Sequence, residues 1–360
     1  MRSKEGDETE SRSLPVDLII EILTKLPPRS LSRLICVSKL WLSIIHGKYF
    51  NDLYLTRSST RPRLLLHRYS HDTRSSHYSS LSKNQLSLVD SVTLPGLQIS
   101  PPVRGLICCV DHYSSIVVIG NPSTGQFLTL TDVITDQIFF GYDPVNDLYK
   151  VLSMNFVHNI DRSVVIEKSQ VLTLGGGQES WRMIECKYPY YPGTQGKCHN
   201  GVVYYGAWSN LTDRRSVVVC FDLRSEEFSL ITLPEDVQIV SYIESDLVSY
   251  NGKIALVNVS RNCEFDLWVL MDVKRHEWSK YSVVVPTCDF FRCRGTIETG
   301  ELIFEQLYFG DQFSILYYHP EQDKARRVDL DRSGDTMSGC RKLFLNHVES
   351  PIFLPRKFIH

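Results

Sequence analysis

Few residues of this sequence stand at spacings that could support catalysis. A zinc-protease helix needs two histidines four residues apart, and His276 is followed by Glu277 but by no histidine at the required position. A nucleophile elbow needs Gly-x-Ser-x-Gly, and the run 121–125 places Asn121 where the first glycine should precede Ser123. We interpret both stretches as turns. The sequence therefore predicts no hydrolytic site at either place.

Candidate ligands for phosphate or metal are equally sparse. The run 175–177 is three glycines, but no Lys-Ser/Thr pair and no helix follow it, which favours a loose hairpin over a phosphate-binding loop. Cys198 stands beside His199, and Cys288 lies close to Cys293, yet neither pair has a second pair at the distance of a zinc site. We expect buried free thiols, no metal and no cofactor, and we predict that the protein is not an enzyme.

Composition places the bulk of the chain among globular proteins. Of its 360 residues 42% are hydrophobic and 22% charged, and the formal net charge is -2, so no overall field attracts nucleic acid or an anionic membrane. No apolar run approaches the ~18 residues of a membrane-spanning helix, and residues 1–12, predicted to be disordered, hold no signal peptide. We expect a cytoplasmic or nuclear protein. Free thiols are expected throughout, for example at Cys36, Cys108, Cys109, Cys220 and Cys340.

One stretch of the chain is locally basic. Its cationic residues are Arg57, Arg61, Arg63, Arg68 and Arg74, together with His67, His71 and His77. A contact to RNA or to an acidic target is conceivable there, but a solvated linker rich in Ser and Arg is the usual outcome. We therefore predict no nucleic-acid partner.

Residues 13–50 carry apolar side chains at helical spacing. Leu18, Ile22 and Leu26 recur every four residues, which predicts an amphipathic helix. The proline after Leu26 ends this helix because a residue before proline is pushed out of the α region. So short a unit cannot bury all of its apolar surface alone. That surface is covered either by the following domain or by another protein.

A second helical stretch follows in the same module. Ser30 is its predicted cap, a break is expected near Val37 and Ser38, and Gly47 marks its exit. We therefore predict two or three short helices, followed by a change to β-structure.

The run from Leu14 to Ile45 resembles the F-box. Its landmarks are two Leu-Pro pairs and a terminal Val, basic residue and Trp, although Cys36 precedes Val37 where the family has the opposite order. The resemblance implies binding to a Skp-type adaptor, which in turn holds a cullin scaffold, by a helix-in-groove contact with an aromatic anchor. By matching position, the adaptor-facing and core surface would consist of Leu14, Pro15, Leu18, Ile22, Leu23, Leu26, Pro27, Leu31, Val37 and Trp41.

Two turn signals recur in the β-rich remainder. A glycine turn opens an apolar run at Gly105, Gly201, Gly252 and Gly300, and a weak copy is expected near residue 153. The second signal is an Asn or Asp that ends an apolar run, with an aromatic residue six positions later. It is found at Asn121 with Phe127, Asp222 with Phe228 and Asp272 with Trp278, while Asp143 with Tyr149 fits the pattern but not its phase.

The two signals repeat with a period of about fifty residues. That period suits a four-stranded propeller blade better than a sandwich. Five units fit between about 96 and 345, and 64–92 has room for one more. We predict a small all-α module followed by a six-bladed β-propeller closed between the chain ends, with a β-sandwich-like all-β domain as the alternative. The predicted segments are 13–50 for the helical module, 51–95 for a basic linker and first β segment, 96–350 for the repeats and 351–360 for a tail.

A second resemblance covers most of 60–350. The phrases at 121–125, 141–144, 200–205, 220–224 and 266–270 resemble the F-box-associated interaction domain of a large plant F-box family. Together the two resemblances imply a substrate-recognition subunit of an SCF-type ubiquitin ligase, in which the β domain binds a target through residues that the sequence leaves unknown. The alternatives are an F-box scaffold that binds a partner without ubiquitin transfer, and a propeller enzyme with catalytic residues converging on its channel.

Overall fold

Four helices precede a domain of antiparallel strands. The computed structural model describes residues 14–70, 75–81, 88–95, 98–111, 116–130, 133, 135–158, 164–175, 180–188, 190–208, 215–239, 245–259, 264–286, 291–307, 313–330 and 341–354. The predicted disordered start, 1–12, and the cysteines at 288 and 340 lie outside them. The helices are α1 (Val16–Leu23), α2 (Pro28–Leu34), α3 (Lys39–His46) and α4 (Lys48–Ser59).

The boundaries of the first three helices follow from local chemistry. α1 ends before the Leu26-Pro27 pair, as predicted. The predicted cap at Ser30 is wrong: α2 already begins at Pro28, whose missing N–H is no loss in a first turn, so Ser30 lies inside the helix. Ser38 is the cap instead, because its hydroxyl accepts a hydrogen bond from the Trp41 backbone N–H at 3.1 Å. The predicted break near Val37 is therefore confirmed.

α4 extends the helical module beyond residue 50, so 51–59 is helix rather than linker and the module has one helix more than predicted. Its sequence shows little amphipathic contrast, and three buried side chains hold it in place: Phe50, Tyr54 and Leu55. The Tyr54 hydroxyl donates a hydrogen bond to the backbone carbonyl of Leu26 at 2.9 Å. Tertiary packing, not local periodicity, thus decides that this segment is helical.

The strands form six antiparallel units in chain order, and a single parallel bridge between Ser249 and Gly295 joins the fifth and sixth units into one eight-stranded sheet. The first contains β1 (Arg63–Ser70), β2 (Ser75–Leu81) and β3 (Leu88–Pro95), joined by β25 (Arg341–His347). The second contains β4 (Gln98–Ile99), β5 (Ile107–Asp111), β6 (Ile116–Asn121) and β7 (Gln126–Leu130). The third contains β8 (Gln137–Asp143), β9 (Leu148–His158), β10 (Val164–Leu174) and β11 (Arg182–Ile184).

The remaining units follow the same plan. The fourth contains β12 (Tyr191–Pro192), β13 (Lys197–His199), β14 (Val202–Trp208), β15 (Ser216–Asp222) and β16 (Phe228–Thr232). The fifth contains β17 (Ser245–Tyr250), β18 (Lys253–Val259), β19 (Glu264–Asp272) and β20 (Glu277–Val284). The sixth contains β21 (Phe291–Thr296), β22 (Leu302–Gln306), β23 (Phe313–His319) and β24 (Lys324–Leu330).

These units close into a ring. β8 contacts β5 and β14, β17 contacts β14 and β21, and β21 contacts β25. Because β25 comes from the C-terminal part of the chain and pairs with β1, one sheet joins the two ends of the domain. The six-bladed propeller and its closure between the chain ends are therefore confirmed, and the sandwich alternative is wrong.

Side chains packed between neighbouring blades form the core. The rings of Phe139 in β8 and Tyr205 in β14 stack at 4.2 Å, and those of Phe265 in β19 and Phe304 in β22 lie 4.8 Å apart. Each blade is covered on both faces, so its inner strands are continuously apolar instead of alternating. In β6 every residue after Ile116 is buried.

The predicted turn signals mark two kinds of hairpin. Arg104 and Gly105 both have positive φ (49° and 80°), as a two-residue hairpin turn requires, and Asn251 with Gly252 repeats this geometry. The copy expected near residue 153 is wrong, because that position lies in the middle of β9. The corresponding turn of the third blade comes earlier, where the Asp143 carboxylate accepts hydrogen bonds from backbone N–H groups at 2.9 and 3.3 Å. This explains why Asp143 stands out of phase.

Candidate functional site

The stretches considered first for catalysis are turns, as predicted. His276 lies between β19 and β20, and Ser123 lies between β6 and β7. Among the residues that the structure describes, no group of three His, Cys, Asp or Glu side chains could hold a metal ion. No helix in the described ranges is both long and apolar enough to cross a membrane.

The cysteines divide by burial. Cys108, Cys109, Cys220 and Cys293 are buried, as expected, whereas Cys36 is exposed, so the expectation of a buried thiol is wrong there. Burial raises the pKa of Cys109, Cys220 and Cys293 to about 12. These three thiols are protonated at neutral pH and are therefore poor nucleophiles.

A row of exposed apolar side chains runs along α1 and the residues before it. Leu14, Leu18 and Ile22, spaced four residues apart, are 56%, 51% and 50% exposed. Ile19 and Leu23 point the other way and are buried in the core of the module. An amphipathic helix normally exposes its polar face. A helix with apolar residues on its exposed face as well is typical of a site that binds another protein.

Further exposed apolar side chains lie around α3. Val37, which precedes the helix, is 64% exposed, and Leu40 and Leu42 are also exposed. We refer to Leu14, Leu18, Ile22, Val37, Leu40 and Leu42 together as the apolar helical surface. Leu40 and Leu42 were missed by sequence reasoning because they flank Trp41 within one apolar run, and such a run does not show which of its members face outward.

The ten residues that the sequence predicts for adaptor binding separate into three groups. Leu14, Pro15, Leu18, Ile22, Pro27 and Val37 are exposed. Leu26 and Trp41 are partly buried against the module's core. Leu23 and Leu31, which are 1% and 0% exposed, belong to that core and have no surface to offer a partner. Substitution of Leu23 therefore tests the folding of the module and not its docking.

Ion pairs join the helical module to the propeller. Arg104, in the first hairpin turn of the second blade, donates to the Asp52 carboxylate of α4 at 2.6 Å. Lys48 lies 3.3 Å from Asp52 and 3.0 Å from Asp147 in the first turn of the third blade. The hydrogen bond to Asp147 raises the pKa of Lys48 above its ordinary value. α4 is thus fixed against two blades.

The segment after β25 makes the second connection. Its first residues were predicted as the end of the repeats and those from 351 onward as a C-terminal tail. The buried Asn121 side-chain amide donates to the backbone carbonyls of Ser350 at 3.0 Å and Ile352 at 2.8 Å. The backbone N–H of Ser350 in turn donates to the Ser123 hydroxyl at 3.1 Å. We call residues 348–354 the C-terminal strap. It lies against the turn between β6 and β7.

The strap also enters the helical module. Phe353 packs against the core of the module and stacks on His46 with ring centroids 5.3 Å apart. The strap also passes close to the backbone of Gly105 at Ser350. Only glycine fits at position 105, because a Cβ there would lie 2.5 Å from the Cβ of Ser350. One short segment therefore touches both domains and holds them in one orientation.

We expect Asn121→Asp to release the strap. The change keeps the oxygen that accepts from the Ser123 backbone N–H but replaces the amide donor with a carboxylate that faces two carbonyls. Two buried hydrogen bonds are lost, at about 1–3 kcal/mol each. Hydrogen exchange should show faster exchange at Ile352 and Phe353.

The matched control for this prediction is Asp222→Asn, at the same turn position of another blade. The Asp222 carboxylate accepts only backbone N–H groups in the contacts that the structure describes, from Arg224 and Ser225 at 2.8 and 2.9 Å. An amide oxygen can replace it, so we expect less than about 1 kcal/mol of destabilisation. Unchanged exchange of the strap in Asn121→Asp would show that other contacts hold it.

Comparison with known proteins agrees with this architecture. The family model "F-box domain" matches residues 12–53, and the model "F-box associated beta propeller domain" matches residues 52–348. The chain is 39% identical to an F-box/kelch-repeat protein of Arabidopsis thaliana, over 98% of this chain and 96% of that protein. It is 34% identical to the F-box protein DOR of the same species, over 96% and 95% of the two chains.

A solved structure supports the fold of the larger domain. TolB from Acinetobacter baumannii superposes with a TM-score of 0.50 at 10% sequence identity, covering 86% of this chain and 73% of that one. At this identity the likeness concerns the fold alone. Taken with the matches to both domains, the helical module and the closed ring of six blades show that the chain belongs to the F-box proteins with an F-box-associated β-propeller domain.

Proposed function

We propose that this protein is the substrate-recognition subunit of an SCF-type ubiquitin ligase. The F-box docks on a Skp-type adaptor and, through it, on a cullin scaffold, while the propeller binds the protein to be modified. F-box domains generally bind such adaptors, and an F-box joined to a propeller is typical of non-catalytic receptor subunits. The observation that carries the proposal is the row of Leu14, Leu18 and Ile22, each at least half exposed.

The physical basis of docking is burial of this apolar helical surface. Each large aliphatic side chain contributes about 1.5–3 kcal/mol when it passes from water into an apolar contact. The opposite face of α1 is already occupied by the module's own core, so the row is not needed for folding. A partner with an apolar groove would cover it in the helix-in-groove manner.

The receptor needs no acid, base or nucleophile of its own in this mechanism. It raises the effective concentration of a bound target near a ubiquitin-loaded enzyme on the scaffold. The C-terminal strap and the ion pairs of α4 support this role, because they hold the propeller at a set orientation to the docked F-box. We place this activity in the cytoplasm or the nucleus.

The double variant Leu18→Asp/Ile22→Asp tests adaptor docking. Two carboxylates on the exposed row would be desolvated at the contact, so we expect at least roughly 100-fold weaker binding, measured by calorimetry with a purified Skp-type adaptor. Both side chains are half exposed, so thermal stability should stay close to that of the unchanged protein.

The control carries the same change on the propeller. Val145→Asp/Val284→Asp replaces two side chains that are 63% and 61% exposed and should bind the adaptor normally. Adaptor binding that survives in the F-box variant would overturn the docking proposal. Ubiquitin transfer is tested separately: a partner isolated with the propeller should become longer-lived when the receptor is depleted, and an unchanged half-life would favour a scaffold.

A further inference from the structure

The centre of the propeller holds a small cavity lined by charged groups. Five of the six blades contribute to its wall, and its volume is about 40 Å³. Lys197 comes from β13, Asp246 from β17 and Arg294 from β21. Pro101 closes it from the second blade and Leu343 from β25. The cavity therefore lies on the axis, where the inner strands converge.

Arg294 and two carboxylates form an ion network beside this cavity. Arg294 lies 3.0 Å from Asp246 and also pairs with Glu305, and all three side chains are almost fully buried. The second oxygen of Asp246 accepts from the Leu247 backbone N–H at 3.0 Å, and that of Glu305 accepts from the Leu343 backbone N–H at 2.6 Å. All four carboxylate oxygens thus already have a donor.

Two lysines within electrostatic range of this network lack such a partner. Lys197 lines the cavity, and Lys342 precedes the cavity-lining Leu343 on β25; both lysines are partly buried. Across the described residues, neither ammonium group forms a hydrogen bond or an ion pair within 4.0 Å. Burial lowers the pKa of both, that of Lys342 to about 8. The charge of Arg294 lowers each pKa further, while the charge of Asp246 partly offsets this effect at both lysines. Arg292 also lowers the pKa of Lys342.

The charges therefore do not balance. Among the described residues, three cations lie here, Lys197, Arg294 and Lys342. They face two carboxylates, Asp246 and Glu305, that are both bound to Arg294. A buried ammonium group without a counter-ion is costly, and the cost is removed when an anion takes the unfilled place. The structure thus has both the space and the charge for one anionic group.

We propose that the channel cavity binds a single small anionic group, a carboxylate or a phosphate, through Lys197 and Lys342 beside Arg294. About 40 Å³ accommodates one such group but no nucleotide or sugar. The group comes either from a free ion or from an acidic side chain of the bound target. If the group is an acidic side chain of the target, the inference rests on the proposed function and deepens it, since the channel would then recognise a carboxylate on the target.

Thermal unfolding of the full-length chain tests the anion site. In sodium phosphate we expect a Tm about 2–4 °C higher than in sodium chloride of equal ionic strength, because a ligand that binds only the folded state stabilises it. The variant Lys197→Met/Lys342→Met should lose this difference, and Lys274→Met/Lys324→Met, which removes two exposed lysines, should keep it. The single variants Lys197→Met and Lys342→Met serve if the double variant does not fold.

A second pair of probes identifies the source of the anion. The peptides acetyl-Gly-Glu-Gly-amide and acetyl-Gly-Gln-Gly-amide differ only in one charge. Stabilisation by the Glu peptide alone assigns the site to an acidic group on the target, whereas stabilisation by phosphate alone assigns it to a free ion. If neither probe acts, or if the lysine variants respond as the unchanged protein does, the proposal is overturned. The F-box variant Leu18→Asp/Ile22→Asp should keep the response, so failure of docking and failure of the anion site are distinguishable.

Discussion

Replacement of Leu23 by aspartate is expected to unfold the F-box while the propeller stays folded. Leu23 is 1% exposed and packs with Ile19, Leu31 and Ile45 in the only core that the F-box possesses among the described residues. Removal of a buried leucine costs about 2–5 kcal/mol, and an unpaired carboxylate in its place adds to that cost. Hydrogen exchange should therefore show loss of protection in α1 to α4 and retained protection in the blades.

The neighbouring residue is the matched control for this prediction. Ile22→Asp introduces the same charge one position earlier, on a side chain that is 50% exposed, and should leave the exchange of α1 unchanged. Both variants should lose adaptor binding, one through unfolding and the other through the surface. Equal protection of α1 in the two variants would show that the assignment of the buried and exposed faces is wrong.

Replacement of Arg294 by leucine is expected to lower the free energy of unfolding of the propeller by about 3–5 kcal/mol. The change leaves the Asp246 and Glu305 carboxylates buried without the cation that neutralises both. Denaturant unfolding measures the loss. The triple variant that adds Asp246→Asn and Glu305→Gln should recover part of it, since the uncompensated charges are then gone.

The exposed pair of Arg327 and Asp329, 3.1 Å apart, provides the control for Arg294. Arg327→Leu should cost about 1 kcal/mol, because water already screens that pair and the hydrogen bond from Arg327 to the Ser314 hydroxyl at 3.0 Å is the main additional loss. If Arg294→Leu itself lowered the free energy of unfolding by less than about 1 kcal/mol, the proposed charge imbalance would be contradicted. That result would show that Lys197 and Lys342 can neutralise the two carboxylates, and the reason for an anion in the channel would disappear.

Asn121 has a second role in addition to its role in the repeated hairpin turn. Asn121, Asp222 and Asp272 occupy the same turn position of three blades, and in each the side-chain oxygen accepts backbone N–H groups. Only an amide also has a donor, and in the second blade that donor holds the C-terminal strap. A repeat aligned by its turns therefore reveals the hairpin, but the reason for Asn instead of Asp depends on a segment far away in the chain.

The sequence by itself determined the helical module and the β-propeller with six blades, because these follow from spacings within a few tens of residues, while the family came from the resemblance of its motifs. It could not separate Ile22 from Leu23, or recognise α4, since side chains of equal hydrophobicity take opposite sides only when a core exists to pack against. The tertiary structure alone decided that the strap joins the two domains and that Lys197, Arg294 and Lys342 lie near one another. These residues come from different blades, and only closure of the ring brings their charges together around the channel cavity.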